Sequence, residues 1–303
     1  MVIPLYNKRT TIRRAIDSVL SQEAQDLELI VVDDGSTDGS AAEVAALADA
    51  RITLIHQANA GPGRARNVGA SRARAELLAF LDGDDEWKGD YLGTGIDALM
   101  QHPQAVAYAC GYDAGAFSDQ VKDKVSQLTT IPAALPPPTT ALGPYRVKLA
   151  LDGLHSSSTI VRRASFLQAG GFYDRDRCLW GEDSYLWAQV LFMGPIYWDP
   201  APRILFHVEN SELGFAKRHR DDPRPLVIHG MDMVKSIPPQ HRDAFLMLVR
   251  RTAVRDAEIL MESGHVRKAL RLRQQLGIME PRELLKDVKR YCRYAYRQVI
   301  GQN

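Results

Sequence analysis

At 303 residues and a formal net charge of +1, the chain can hold one large domain with an extension, or two modest domains, and no global field draws it to nucleic acid. Its composition, 45% apolar and 25% charged, is that of an ordinary soluble globular protein. Cys110, Cys178 and Cys292 are odd in number and far apart, which excludes a disulfide framework or a zinc spacing and suits a reducing compartment.

The chain opens on Val2–Tyr6, a short strand that starts at the first residues, so it begins either at a domain boundary or after a truncation. No basic region followed by an apolar core precedes it, and no apolar stretch approaches the roughly 20 residues that span a bilayer. A cytoplasmic protein is expected, with attachment to the inner face of a membrane as an option. Leu27–Val32, Ile52–Ile55 and Leu77–Leu81 read as buried strands. Thr11–Ser21, Ser40–Ala48 and Pro62–Arg74 between them read as helices, the last with Pro62 in its first turn. This alternation implies a parallel sheet covered on both faces, whose ligands gather at the carboxyl ends of the strands.

From Gly115 to Pro144, Pro132, Pro136–Pro138 and Pro144 mark a long excursion. A strand at Ser157–Val161 follows, then a short helix ending at Gly170-Gly171, a helix from Glu182 to Met193, and two strands at Ile196–Trp198 and Arg203–Val208. Asp221, Pro223 and Pro225 read as a linker. After Pro239 the apolar positions fall at helical spacing, Gly264 divides a helix pair, and a third helix is expected over Pro281–Val299. The expected domains are therefore residues 1–212, and 213–303 as linker and helices.

The polar motifs fall at the strand ends. Asp33-Asp34-Gly35-Ser36-Thr37-Asp38-Gly39-Ser40 follows the second strand. Asp33 suits a base or ribose contact, whereas Asp38 and Ser40 read as helix caps. Asn59 to Asn67 holds glycines that admit close backbone approach, and Arg66, which can meet a phosphate or a base carbonyl. Asp82-Gly83-Asp84-Asp85-Glu86 sets four carboxylates within five residues after an unbroken apolar run. They repel one another unless a cation is present, and their oxygens suit Mg²⁺ or Mn²⁺; the alternative is a solvated acidic turn. Glu182 and Asp183 open a helix, favourable by itself, but Trp180 beside them suits a sugar surface with a general base. His207 is either structural or an added metal ligand.

In order and spacing, Val2-Ile3-Pro4-Leu5-Tyr6-Asn7, Asp33–Asp38, Gly63–Asn67, Leu81–Asp85, Gly170-Gly171-Phe172 and Glu182-Asp183 resemble the inverting family 2 glycosyltransferases. The resemblance covers about residues 2 to 212. It implies an α/β GT-A fold, the three-layer sandwich of nucleotide-diphospho-sugar transferases with a mostly parallel sheet, here carrying a C-terminal helical extension. It also implies roles. Pro4 and Tyr6 would line the base, Asp33 would bind it, Arg66 would hold base or phosphate, and Asp82 would lie near the ribose. Asp84 would ligate the Mn²⁺ or Mg²⁺ on the diphosphate, with His207 as a further candidate. Asp183 would be the general base, positioned by Glu182. The implied partners are a nucleotide-sugar donor, with UDP favoured, and a glycan or lipid-linked acceptor.

The Gln-x-x-Arg-Trp signature of processive synthases is absent. A sugar nucleotidyltransferase would carry a Gly-rich loop after the first strand, where Tyr6-Asn7-Lys8-Arg9 has no glycine. A non-catalytic sugar-nucleotide-binding scaffold fits the intact acidic motifs poorly. Val266–Asn303 carries ten Lys/Arg against three Asp/Glu. Lys286, Lys289, Arg290, Arg293 and Arg297, interleaved with Tyr291, Tyr294 and Tyr296, form either a membrane-docking face or a solvated one.

Overall fold

A computed structural model describes residues 1–115, 123–208, 221–277, 285–286 and 288–292. By its internal contacts the chain divides into two compact units, Met1–Pro138 with Leu149–Glu212, and Thr139–Lys148 with Leu213–Asn303.

The strands described are β1 (Val2–Leu5), β2 (Leu29–Asp33), β3 (Ile52–His56), β4 (Leu77–Ala79), β5 (Glu86–Trp87), β6 (Ala107–Asp113), β7 (Ala133–Leu135), β8 (Thr159–Arg162) and β9 (Ile196–Leu205). The helices are α1 (Ile12–Leu20), α2 (Ser40–Ala45), α3 (Pro62–Arg72), α4 (Tyr91–Gln101), α5 (Val125–Leu128), α6 (Gly143–Asp152), α7 (Arg163–Gln168), α8 (Glu182–Val190), α9 (Pro225–Met233), α10 (Arg242–Glu262) and α11 (Val266–Gln275).

In the first unit β1, β2 and β3 pair in parallel, with Leu5, Asp33 and His56 in register at their carboxyl ends. A parallel bridge between Val2 and Phe80 sets the β4 segment beside β1. From β4 the order runs to β8, β6, β9 and β5. There β6 and β9 are parallel while β8 is antiparallel to both its neighbours. All five residues of β2 are buried, as a strand covered on both faces requires. On α1, Ile12, Ala15, Ile16 and Val19 fall on one face and join the same core. Apart from Arg66, the buried residues of α3 are Gly63, Ala65, Gly69 and Ala70, so the helix approaches β1 closely: a Cβ on Gly69 would lie 2.4 Å from Val2 Cγ1. This packing aims the first turn of α3 at the carboxyl ends of β1, β2 and β4.

Several expectations are corrected. The two strands expected at Ile196–Trp198 and Arg203–Val208 are one ten-residue strand, β9, which ends at Leu205. Pro200 and Pro202 suggest a break, but the register against β6 shifts between Cys110 and Tyr112, and this irregularity absorbs residues that cannot donate to the ladder. The helix α4 and the strand β6 were not anticipated. The excursion after Gly115 contains α5 and β7, and residues 116–122 lie outside the described residues.

The second unit is helical. Val227, Ala253, Ala257, Leu260, Met261, Ala269 and Leu272 form its core. Of the expected linker residues, Pro225 takes the first turn of α9, and Arg224 just before it pairs with buried Asp256 at 2.8 Å. Of the basic tail, Arg290 is committed to Glu258 (2.8 Å) and Glu262 (3.6 Å) of α10, not to an open face. Arg293, Tyr294, Tyr296 and Arg297 lie outside the described residues, as does most of the expected third helix. Among the described residues no helix is long and apolar enough to cross a membrane.

Candidate functional site

Three loops meet beyond the carboxyl ends of β1, β2 and β4. Asn7, at φ 50°, lies on the first of them. Its N–H donates to Ser36 Oγ (3.1 Å) and its Oδ1 accepts from Thr37 N–H (2.8 Å), which ties the first loop to the second. Pro4 sits in β1, and Tyr6 is exposed at its end.

Asp33 ends β2 and Asp34 follows it, and both are buried. Asp33 accepts from Ser36 N–H at 3.0 Å and lies 2.9 Å from His56 Nδ1. Burial pushes its pKa up, yet the bonds from Ser36 and His56 outweigh burial and hold the carboxyl below its ordinary value. Asp34 accepts from Gln57 Nε2 (2.7 Å), Ala60 N–H (2.8 Å) and Gly61 N–H (2.8 Å). It thereby fixes the turn into α3, where Gly61 takes φ 94°. Sequence reasoning left Asp34 without a role, because its partners lie more than twenty residues away.

Arg66, on α3, is 4% exposed. One amino group meets Asp82 (2.5 Å), the other meets Glu182 (2.9 Å), and the Phe172 ring lies 5.1 Å from the guanidinium carbon. Burial opposes the charge, but the two carboxylates override it and raise the pKa above its ordinary value. Both amino groups are thus engaged by protein carboxylates, so Arg66 joins the strand-end loop to the start of α8. Glu182 is buried there. Burial first, then the Asp183 charge, push its pKa up to about 7 against the pull of Arg66. Asp183 is partly exposed in the same turn and accepts from Ser184 N–H at 2.6 Å.

The acidic loop after β4 is neutralised from within the chain. Asp82 has Arg66. Asp84 has Lys8, whose Nζ donates to Oδ2 at 2.8 Å. Burial, Asp82 and Asp84 push the Asp85 pKa well up, and Ser157 Oγ donates to its Oδ2 at 2.6 Å. Glu86 faces Arg14 (3.6 Å) and His207 Nε2 (3.3 Å). His207 therefore stands against Glu86, not against Asp84. Thr11 Oγ1 donates to Gly83 O (2.7 Å) and an Arg14 amino group to Asp84 O (2.8 Å), which holds the loop backbone on α1. The sequence offers no sign of Lys8 beyond a basic residue two places after Tyr6. Among the described residues no three His, Cys, Asp or Glu side chains cluster as a ready-made metal site. A divalent cation here would complete its shell with donor oxygens and water, as Mg²⁺ commonly does.

Comparison with known proteins bears on the family and the fold. A stretch of 92 residues, 30% of this chain and 26% of the relative, is 48% identical to the succinoglycan biosynthesis protein ExoO of Rhizobium meliloti (strain 1021). The matched stretch is about a quarter of the length of such curated relatives. Among solved structures, S. aureus TarS 1-349 in complex with UDP-GlcNAc superposes with a TM-score of 0.67 at 16% identity, over 99% of this chain and 91% of that one. The mannosyltransferase PcManGT of Pyrobaculum calidifontis, in complex with GDP-Man and Mn²⁺, gives 0.54 at 18% identity, over 100% and 87%. These likenesses show the GT-A fold. The profile of "Glycosyl transferase family 2" matches residues 1–167, more than half of the chain, and the chain belongs to that family.

Proposed function

We propose that the chain is an inverting, non-processive glycosyltransferase that moves one sugar from a nucleoside-diphosphate donor to an acceptor hydroxyl. The observation that carries this reading is Arg66, which ties the strand-end carboxylate Asp82 to Glu182 and so sets the Glu182-Asp183 turn beside the acidic loop. Asp183 takes the proton of the acceptor hydroxyl as its oxygen attacks the anomeric carbon. The bond from that carbon to the diphosphate breaks on the opposite face, its electron pair leaves with the diphosphate, and the configuration inverts. Glu182, buried and held by Arg66, positions Asp183.

Pro4, Tyr6 and Asp33 receive the base at the ends of β1 and β2, with Asp82 on the ribose side. Asp84 and its loop offer hard carboxylate oxygens that fit Mn²⁺ or Mg²⁺. His207, whose Nε2 faces Glu86, is a further candidate ligand. Such an ion, when bound, supplies charge for the leaving diphosphate. The proposed donor is a UDP-sugar and the proposed acceptor a glycan or lipid-linked hydroxyl in cell-envelope polysaccharide synthesis, a reading supported by the likeness to the succinoglycan biosynthesis protein ExoO and to TarS in complex with UDP-GlcNAc.

The test replaces Asp84 and Asp183 singly by Ala. Each change is expected to abolish transfer from UDP-sugars, while only Asp84→Ala weakens metal-dependent nucleotide binding. Full activity in both variants would sink the mechanism.

A further inference from the structure

Among the described residues, Lys8 is the lysine that pairs with a carboxylate of the acidic loop, Asp84, and its charge sits on a flexible stem. Its ammonium lies 2.8 Å from Asp84 Oδ2, and the two side chains are only 17% and 13% exposed. The stem runs beside the loop backbone: a Cβ on Gly83 would lie 3.5 Å from Lys8 Cγ. Arg66 differs in kind. It is held by two carboxylates and an aromatic face, and a guanidinium so engaged gives up several contacts on leaving. The loop is equally constrained, through Thr11 to Gly83 and Arg14 to Asp84. In the Lys8–Asp84 pair the carboxylate thus sits on a loop held at two backbone carbonyls, and the ammonium at the end of a rotatable stem.

We propose that Lys8 is the resident counter-cation of Asp84, and that it exchanges with the divalent cation when donor diphosphate arrives. This rests on the reading of Asp84 as the metal ligand. Two like charges cannot share one buried carboxylate without repulsion, so a divalent ion alone has to displace the ammonium. A nucleoside diphosphate offers the released ammonium new oxygens. Metal and nucleotide then favour one another's binding, and stray divalent ions are resisted in the absence of donor.

The experiment titrates Mn²⁺ into the full-length protein, following free Mn²⁺ by electron paramagnetic resonance, with and without UDP. Lys8→Met is expected to bind Mn²⁺ alone about tenfold more tightly than wild type, a ratio worth about 1.4 kcal/mol. The gain should vanish in the Lys8→Met/Asp84→Asn double variant, and UDP should strengthen Mn²⁺ binding less in Lys8→Met than in wild type. A merely structural lysine gives no such tightening. Equal or weaker Mn²⁺ binding by Lys8→Met, with Asp84→Asn still impaired, overturns the exchange and leaves Asp84 as the ligand. Wild-type Mn²⁺ binding by Asp84→Asn overturns the ligand assignment and the exchange with it. If Lys8→Met does not fold, Lys8→Gln makes the same comparison.

Discussion

Arg66 on α3 and Glu182 at the first turn of α8 are 116 residues apart in the chain and 2.9 Å apart in space, both buried. A charge buried this far persists only while it is paired. Arg66→Met leaves Glu182 without its cation and Asp82 without its partner. Breaking a buried pair by removing one member costs about 3–5 kcal/mol, so the urea midpoint should fall accordingly. Arg66→Lys keeps the charge but cannot reach both carboxylates with a fixed fork, and its loss should be intermediate. An unchanged midpoint for Arg66→Met would mean that the pair contributes nothing to the fold.

The Glu182 carboxyl makes stability depend on pH in a definite direction. Its pKa is about 7 in the folded chain against an ordinary value of 4.5, burial being the first cause and the Asp183 charge the second. Well below 4.5 the group is protonated in both states, and well above 7 it is ionised in both. In between, the folded chain holds the proton more often than the unfolded one, so this group's contribution to stability falls as pH rises through that window. Glu182→Gln, which keeps the shape and an acceptor for Arg66, removes the titration. The melting temperature of wild type minus that of Glu182→Gln should decline between about pH 5 and pH 7; a flat difference contradicts the assignment.

Asp34 supports the site without being aimed into it. Its carboxylate accepts from Gln57, Ala60 and Gly61, so Asp34→Ala leaves two backbone N–H groups at the entry to α3 without their acceptor. Bonds to a charged group contribute about 1.5–3 kcal/mol, and a loss of about 3 kcal/mol is expected by denaturant unfolding. Asp34→Asn retains one oxygen and should lose less. Hydrogen exchange at Ala60 and Gly61 should quicken in Asp34→Ala, and unaltered protection at those amides argues against the role.

What could be read in advance follows from range. The strand ends at Asp33 and Asp82 were legible because an unbroken apolar run stops at a carboxylate, a local pattern. The opening of α8 was legible from Glu182 and Asp183 beside a glycine. Partnerships were not. Arg66 with Glu182 and Lys8 with Asp84 are tertiary pairs, and no spacing encodes them. The acidic loop illustrates the difference: repulsion among its carboxylates suggests an external cation, whereas Arg66, Lys8 and Arg14 already supply internal ones. Strand β9 was misread for a related reason. Its prolines speak locally for a break, and only the shifted register against β6 shows how they are accommodated.

Gly63 tests how tightly α3 and α8 are coupled. A Cβ there would lie 2.3 Å from the Tyr173 carbonyl oxygen and 3.2 Å from Glu182 Cγ, and a backbone carbonyl cannot rotate aside as a side-chain tip can. Tyr173 N–H donates to Glu182 O at 3.2 Å, so whatever moves Tyr173 also moves the turn that carries Glu182 and Asp183. Gly63→Ala should cost about 1–3 kcal/mol, as overpacking does, and should lower the transfer rate more than it raises KM for the donor. Gly93, inside α4 with no atom within 4 Å of an added Cβ, is the matched control. Gly93→Ala should stabilise the protein by about 0.5–1 kcal/mol through helix propensity alone and leave transfer unchanged. Equal melting temperatures for the two alanine variants would show that α3 has room to recede from Tyr173, and that the close approach at Gly63 does not hold the Glu182-Asp183 turn in place.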